Sequence, residues 1–563
     1  MDPFIEAVTP VSPGRRGGFP GLALAVRERS VAIALTGSFL VLAMLGALHH
    51  EMWRDELHAW LLARDSANLW NVFQVSRYEA HFVLWRAILF GITRYTHNPL
   101  ALQLLNLLLA TATIWIVARF SPFSKLEKCL LSFGYFFFYE YCVIAQDYTM
   151  IVLLMVSFCG LYRRRSPNAL GLSVVLWLLA NTLPYGLLIA LIFSALVVFD
   201  WATDKGSRSL RMSPRLGAAA LIVGVGFACG TLQLLLMKAS PGTAWKHPLT
   251  ADGLSKTVLN IWRAYIPIPQ GFPHLDHWLP NTNLIDGTQA ASVAVGLSIL
   301  LGVVSASVLL KRPSGLFLYL VGLTAVLSIQ FVVNSGALRH QGFLFLLFVA
   351  SLWIGSNAPE RHWPSNAWQR LGSFLSRWRT RFVMVVLVAQ VVGGIYAYAA
   401  DWKYPYAAGK RTAEFLRSTG LANVPIVSSR EPYVEPLSAY LDKPIYYLQS
   451  SRFGSYADLS QPLEEFTALE LTRRSLQLAQ QLHTNVVLVV VYRPEELPTA
   501  AWIKRARINA NGGVVSQSAS DLPSCATVTL VGQFGCVVDE AYALYLIQPD
   551  EAVSQIRPQG TTR

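Results

Sequence analysis

Uninterrupted apolar runs constrain this chain more than any other feature. Residues 31–48, 216–237 and 382–400 carry no charged side chain. Each matches the roughly 20 residues that a helix needs to cross a bilayer. The 563 residues are 53% hydrophobic and 14% charged, whereas soluble domains carry about 25% charged residues. Together these features predict a polytopic α-helical membrane protein. The net charge of +13 does not require a nucleic-acid partner, because basic residues gather in the cytoplasmic loops of membrane proteins.

The basic loops give a topology. Arg15, Arg16, Arg27 and Arg29 precede the first apolar run. That run is longer than a signal-peptide core and has no convincing small-residue cleavage site, so it reads as a signal anchor behind a cytoplasmic tail, 1–30. Further spans are expected at 99–118, 129–141, 148–162, 169–182, 184–200, 216–237, 289–310, 316–333, 343–356 and 382–400, making about eleven. The run 81–95 is apolar but short, with Arg86 in its middle, and reads as a juxtamembrane or re-entrant helix. On this alternation the strongly basic loops, 119–128, 163–165, 205–215, 311–312 and 357–381, share the cytoplasmic side. The transmembrane domain is then 31–400, with a first external loop at 49–98 and a long external loop at 238–288. Within the first loop, Leu57, Trp60 and Leu61, then Leu69, Val72 and Phe73, recur at helical spacing and suggest short helices on the membrane surface.

Residues 401–563 would form an extracytoplasmic α/β domain. Strand-like runs stand at 424–429, 445–449, 486–492, 526–531 and 541–547, with helical patterns at 434–442 and 463–483. Of six cysteines, Cys129, Cys142, Cys159 and Cys229 sit singly in or near apolar runs and read as packing residues. Cys525 and Cys536 flank a strand-like segment, and a non-cytoplasmic compartment would allow them to pair.

Trp53-Arg54-Asp55-Glu56-Leu57-His58-Ala59-Trp60 directly follows the first span. Ionisable groups at a hydrocarbon boundary are costly and tend to mark function. The same loop adds Glu79 and His81, and the other external loops add Asp147, Lys246, His247, Arg339 and His340. A carboxylate can act as base toward a hydroxyl acceptor, and cations can hold a departing phosphate. The plainer roles are a helix start for Asp55 and Glu56, solvated loop positions for Glu79 and His81, and interfacial anchoring for Arg339. His274, Asp276 and His277 form a weak metal-ligand pattern.

One span, an Asp-Glu pair at 55–56, and a Glu-x-His element at 79–81 opening an apolar stretch resemble the GT-C membrane glycosyltransferases, most closely the protein O-mannosyltransferase and aminoarabinose-transferase branch. The resemblance covers about 30–400 in architecture and 53–99 in motif. It implies transfer of a sugar from a polyprenyl-phosphate-linked donor to a lipid, glycan or protein acceptor on the outer face. Asp55 maps onto the family's base, with Glu56 as the neighbouring alternative. Arg339, His340 and Lys246 become candidates for the donor phosphate. Glu79, His81 and Asp147 become candidates for acceptor or metal contacts, and a divalent metal is compatible with the pattern. The family's paired prolines are absent after Glu79. The implied setting is a bacterial inner membrane with the C-terminal domain in the periplasm. The rival readings are a transporter or flippase of a lipid-linked sugar, and a non-catalytic envelope-assembly protein.

Overall fold

The computed structural model describes residues 20–79, 81–162, 168–203, 214–238, 250–273, 280–286, 291–333, 336–358, 360, 366–428, 430–460, 466–493, 505–508, 514–515 and 526–550. The membrane part runs α1 (Pro20–His49), α2 (Arg54–Asp65), α3 (Leu69–Ser76), α4 (Val83–Thr93), α5 (Leu100–Phe120), α6 (Lys125–Ser132), a π-helix (Tyr135–Val143) and α7 (Tyr148–Leu161). It continues through α8 (Ala169–Ala180), α9 (Pro184–Thr203), α10 (Pro214–Leu236), α11 (Ala251–Tyr265), α12 (Ala291–Val308), α13 (Pro313–Val332), α14 (Leu338–Asn357) and α15 (Asn366–Lys403). Among the described residues, seven helices are long and apolar enough to cross a membrane: Glu28–His49 of α1, then α5, α9, α10, α13, α14, and Trp378–Lys403 of α15. The spans expected at 148–162, 169–182 and 289–310 are shorter apolar helices.

A helix that is apolar all round belongs at the centre of a bundle. α14 takes that position: Leu338 and every residue from 341 to 355 are buried, and it packs on α7, α11, α13 and the π-helix. α13 comes close through Gly315, where a Cβ would lie 2.6 Å from the Ser351 carbonyl oxygen and 3.1 Å from Gly355 Cα. Backbone cannot yield as a side-chain tip can, so Gly315→Val should cost about 1–3 kcal/mol of stability through overpacking. Thermal unfolding in detergent tests this; an unchanged melting temperature contradicts it.

Two expectations for short segments resolve differently. α4 has 11 residues, a rise of roughly 16 Å against about 30 Å of hydrocarbon, so 81–95 is too short to cross as a helix. The span expected at 129–141 is not one helix. It breaks at Phe133 and Gly134 into α6 and the π-helix. The break lies where α15 presses in: a Cβ on Gly394 would stand 3.1 Å from Phe133 O and Tyr135 N. All nine π-helix residues are buried.

Polar contacts sort the loops into two groups. At one end Gln103 donates to Ala47 O, Gln233 to Asn181 Oδ1 (2.9 Å), the Val83 amide to Gln233 Oε1 (2.9 Å), and Arg77 to Leu236 O (2.9 Å). At the other, Lys128 donates to Ala118 O (2.9 Å), Tyr162 and Ser314 both donate to Asp200 (2.6 Å each), and Arg312 pairs with Glu360 (2.8 Å). The second group joins the basic loops.

The C-terminal part comprises α16 (Gly409–Ser418), α17 (Glu431–Leu441), α18 (Ala468–Leu482) and strands β1 (Ile426–Ser428), β2 (Ile445–Tyr447), β3 (Arg452–Gly454), β4 (Val486–Tyr492), β5 (Arg505–Ile508), β6 (Val514–Val515), β7 (Ala526–Phe534) and β8 (Ala541–Pro549). They form one mixed sheet in the order β3-β2-β1-β4-β8-β7-β5-β6, with β1 parallel to β2 and β4 and the other described pairs antiparallel. Val486–Val489 are all buried, as a strand covered on both faces requires. Cys536 is a free thiol that donates to Val538 O at 3.0 Å; Cys525 lies outside the described residues.

α2 does not float on a membrane surface as expected for the first loop. Leu57, Trp60, Leu61 and Leu62 are fully buried, and α17 packs directly on the helix. Its polar residues explain why: Arg54, His58 and Arg64 all find carboxylate partners in the C-terminal domain. The apolar side of α2 can therefore face the bundle while its charged side is covered too. α3 fits the surface expectation better, with Leu69 and Trp70 exposed.

Candidate active site

The N-terminus of α2 meets the N-terminus of α14. Arg339 Nη2 donates to Asp55 Oδ2 at 2.8 Å, joining residues far apart in sequence. Both side chains are part-exposed, Asp55 by 31% and Arg339 by 17%, so the pair lines an accessible surface rather than a sealed core. The guanidinium carbon lies 5.8 Å from the Trp53 ring centroid and 5.9 Å from that of Tyr148. Arg339 Nε and Trp53 Nε1 are buried donors with no acceptor among the described residues. Buried donors normally have partners, so this corner is chemically suited to an anion or to sugar oxygens.

Glu56, the other half of the acidic pair, faces the opposite way and is 1% exposed. Its Oε2 accepts from the Trp53 amide (3.2 Å), the return half of a capping box. The same oxygen lies 3.0 Å from His50 Nε2, and its Oε1 accepts from the Ala145 amide at 2.6 Å. His50 Nδ1 continues to Asp401 Oδ2 at 2.7 Å, where Tyr139 OH also donates at 3.2 Å. Glu56 thus fastens the start of α2 to the ends of α1 and α15 and to the segment before α7. Nothing in the sequence ties Asp401 or Tyr139 to this site beyond their position at span ends.

The C-terminal domain holds α2 from outside. Arg54 donates to Asp539 (2.6 Å), its amide donates to Glu540 Oε1 (3.0 Å), and its guanidinium lies 4.3 Å over Tyr433. Burial pushes the Glu540 carboxyl well up, against the pull of Arg54. One turn along, His58 lies between Glu435 (2.8 Å) and Glu79 (2.9 Å), and Glu79 also pairs with Arg86. Burial alone would lower His58, but Glu435 and then Glu79 outweigh it and hold the imidazole well above its ordinary value. Burial alone would raise Glu79, but Arg86 and His58 bring it down to about 2.

A raised histidine stabilises fully below its unfolded value and loses that stabilisation as pH climbs through the folded value. The lowered Glu79 keeps its contribution until pH falls toward its own folded value. The deficit of His58→Gln relative to wild type in thermal unfolding should therefore be largest at mildly acidic pH, below the ordinary histidine range, and should narrow steadily as pH rises to the alkaline side. A gap independent of pH contradicts this.

No protein-family model matches the chain, and no curated protein matches it. A cryo-EM structure of a mutant arabinofuranosyltransferase AftD from Mycobacteria aligns with it. The alignment covers 91% of this chain and 41% of that one, at 10% identity and a TM-score of 0.35. The chain thus spans about two fifths of that protein's length. A likeness of this degree transfers neither fold nor activity, and the functional reading rests on the residues themselves.

The remaining candidates separate. His340 Nδ1 accepts from the Ala337 amide at 3.0 Å, and its Nε2 meets Tyr148 OH at 2.8 Å, so both nitrogens are engaged. Tyr185 stacks on its ring at 5.3 Å. His340 therefore shapes the wall beside Arg339 rather than presenting a free donor. His81 Nδ1 lies 2.7 Å from Asp147 Oδ2. The oxygens of Glu79 are taken by His58 and Arg86, and among the described residues no group of three or more His, Cys, Asp or Glu is arranged to hold a metal. Lys246, His247, His274, Asp276 and His277 lie outside the described residues.

Proposed function

We propose that this chain is a GT-C-like membrane glycosyltransferase that moves a sugar from a polyprenyl-phosphate-linked donor to an acceptor hydroxyl on the outer face of a bacterial inner membrane. The Asp55–Arg339 contact carries the reading. It places a carboxylate and a guanidinium side by side at an accessible helix junction, the two charges that such a transfer needs. Asp55 takes the acceptor proton, and the acceptor oxygen attacks the anomeric carbon from the side opposite the phosphate. The carbon–oxygen bond to phosphate breaks with its electron pair on the phosphate, and the configuration inverts. Arg339 offers its remaining N–H groups to that phosphate. Glu56, Arg54 and His58 act by holding α2, and the C-terminal domain braces it from the outer side. The acceptor is a lipid, glycan or protein.

The broken segment ending in the π-helix favours a second reading, a flippase of the same lipid. Interrupted helices with buried polar groups build transporter sites, and Glu140 is 6% exposed here, accepting from Tyr135 OH at 2.8 Å. Proteoliposomes holding a radiolabelled polyprenyl-phosphate sugar separate the two. Label appearing on an added acceptor supports the transferase. Label that only changes leaflet, never reaching an acceptor, supports the flippase and contradicts the proposal.

A further inference from the structure

Asp147 and His81 form a second acid–base pair beside the first, which the scheme above leaves idle. Asp147 is 4% exposed on its side chain and lies 2.7 Å from His81 Nδ1; the His81 side chain is 35% exposed. A buried carboxylate on one imidazole nitrogen fixes the ring's orientation and tautomer, leaving the other nitrogen for chemistry. Here that is Nε2, which has no hydrogen-bond partner among the described residues. The imidazole stands edge-to-face on Tyr148 at 6.5 Å, and Arg339 lies 5.9 Å from the same ring. His81 and Arg339 therefore flank one tyrosine at the mouth of one site.

Resting on the transferase reading, we propose that His81 is a general acid toward the departing phosphate, with Asp147 as its positioning residue. The donor phosphate is a diester carrying one negative charge. When its bond to the sugar breaks, the electron pair would leave a monoester dianion. A monoester's second ionisation lies near pH ~6, the range in which imidazole also exchanges protons. A proton passed from the protonated His81 Nε2 to the oxygen that leaves the sugar makes the lipid phosphate depart as a monoanion. Asp55 takes the acceptor proton in the same event. Water then removes the proton from Asp55 and returns one to His81, so the enzyme is restored and the net proton has moved from acceptor to phosphate. The charged or titratable groups around His81 are Asp147 and Tyr148 before and at the start of α7, Arg339 and His340 on α14, and Glu79 and Arg86 on its own segment. Matched acid catalysis of this kind contributes about 10²–10⁴-fold.

The test compares two donors carrying the same sugar, one on polyprenyl phosphate and one on polyprenyl diphosphate, whose leaving group needs less protonation. With the monophosphate donor, His81→Gln should lower kcat roughly 10²-fold with little change in KM, and should lose the alkaline fall of the wild-type kcat profile. With the diphosphate donor most of the loss should disappear. Asp147→Asn should show the same pattern more weakly, and it serves where His81→Gln reduces yield, since the asparagine still accepts from Nδ1. Equal losses on both donors, or an unchanged alkaline limb in the variants, overturn the acid role and leave His81 as a structural tie between loops. Wild-type protein that transfers sugar from neither donor overturns the transferase reading instead, and this step with it.

Discussion

Asp55→Asn should lower turnover about 10²–10⁴-fold, the range that removal of a positioned general base produces, while leaving the protein folded. Asparagine keeps an oxygen that can accept from Arg339, so the link between α2 and α14 survives. The expected stability loss is about 1–2 kcal/mol, reflecting a weaker hydrogen bond to a charged group. Asp55 also neighbours Arg54 at 3.5 Å, but Asp539 and Glu540 hold that arginine independently. The measurement is transfer of labelled sugar by detergent-purified variant, with its thermal unfolding recorded alongside. Full transfer by the asparagine variant contradicts the base assignment.

Glu56→Ala should behave in the opposite way. Both of its oxygens are engaged in a buried hub, and its loss leaves His50 Nε2 and the Trp53 and Ala145 amides without this partner. Breaking a buried ionic contact from one side costs about 3–5 kcal/mol. His50, whose raised value of about 10 comes from Asp401 and Glu56 outweighing burial, would keep only Asp401 as its acidic partner. Glu56→Ala should therefore unfold well below wild type, followed by fluorescence of the nearby Trp53 and Trp60. Glu56→Gln, which retains an acceptor oxygen, should fall between them. Adjacent carboxylates would then differ in kind, one lost in activity and the other in stability. A melting temperature for Glu56→Ala equal to that of Asp55→Asn contradicts the hub.

The apolar runs and basic loops make the membrane architecture legible because hydrocarbon thickness and charge placement are read locally along the chain. Ten of the runs read as spans coincide with apolar helices, and 81–95 is short in the sequence as in space. The break at 133–134 is not legible, because it depends on a glycine of α15 distant in sequence. The same holds at the site. The Asp55-Glu56 pair stands out by its charge, yet only tertiary contact shows which carboxylate is open and which is enclosed. Arg339 is visible as a loop cation, whereas its pairing with Asp55 is not. The clamp on α2 is the most hidden part. Asp539, Glu540 and Glu435 look like ordinary polar residues of a soluble domain until the fold brings them to Arg54 and His58.

The most direct measurement is a cryo-EM structure of the full chain with a non-transferable polyprenyl-phosphate sugar analogue. The phosphate should lie within hydrogen-bond distance of Arg339, with the anomeric carbon facing the acceptor space beside Asp55. This placement would be contradicted by a phosphate seated instead in the cavity of about 540 Å³ lined by His97, Gln103, Lys410, Arg417 and Tyr440, with the Asp55–Arg339 pair undisturbed.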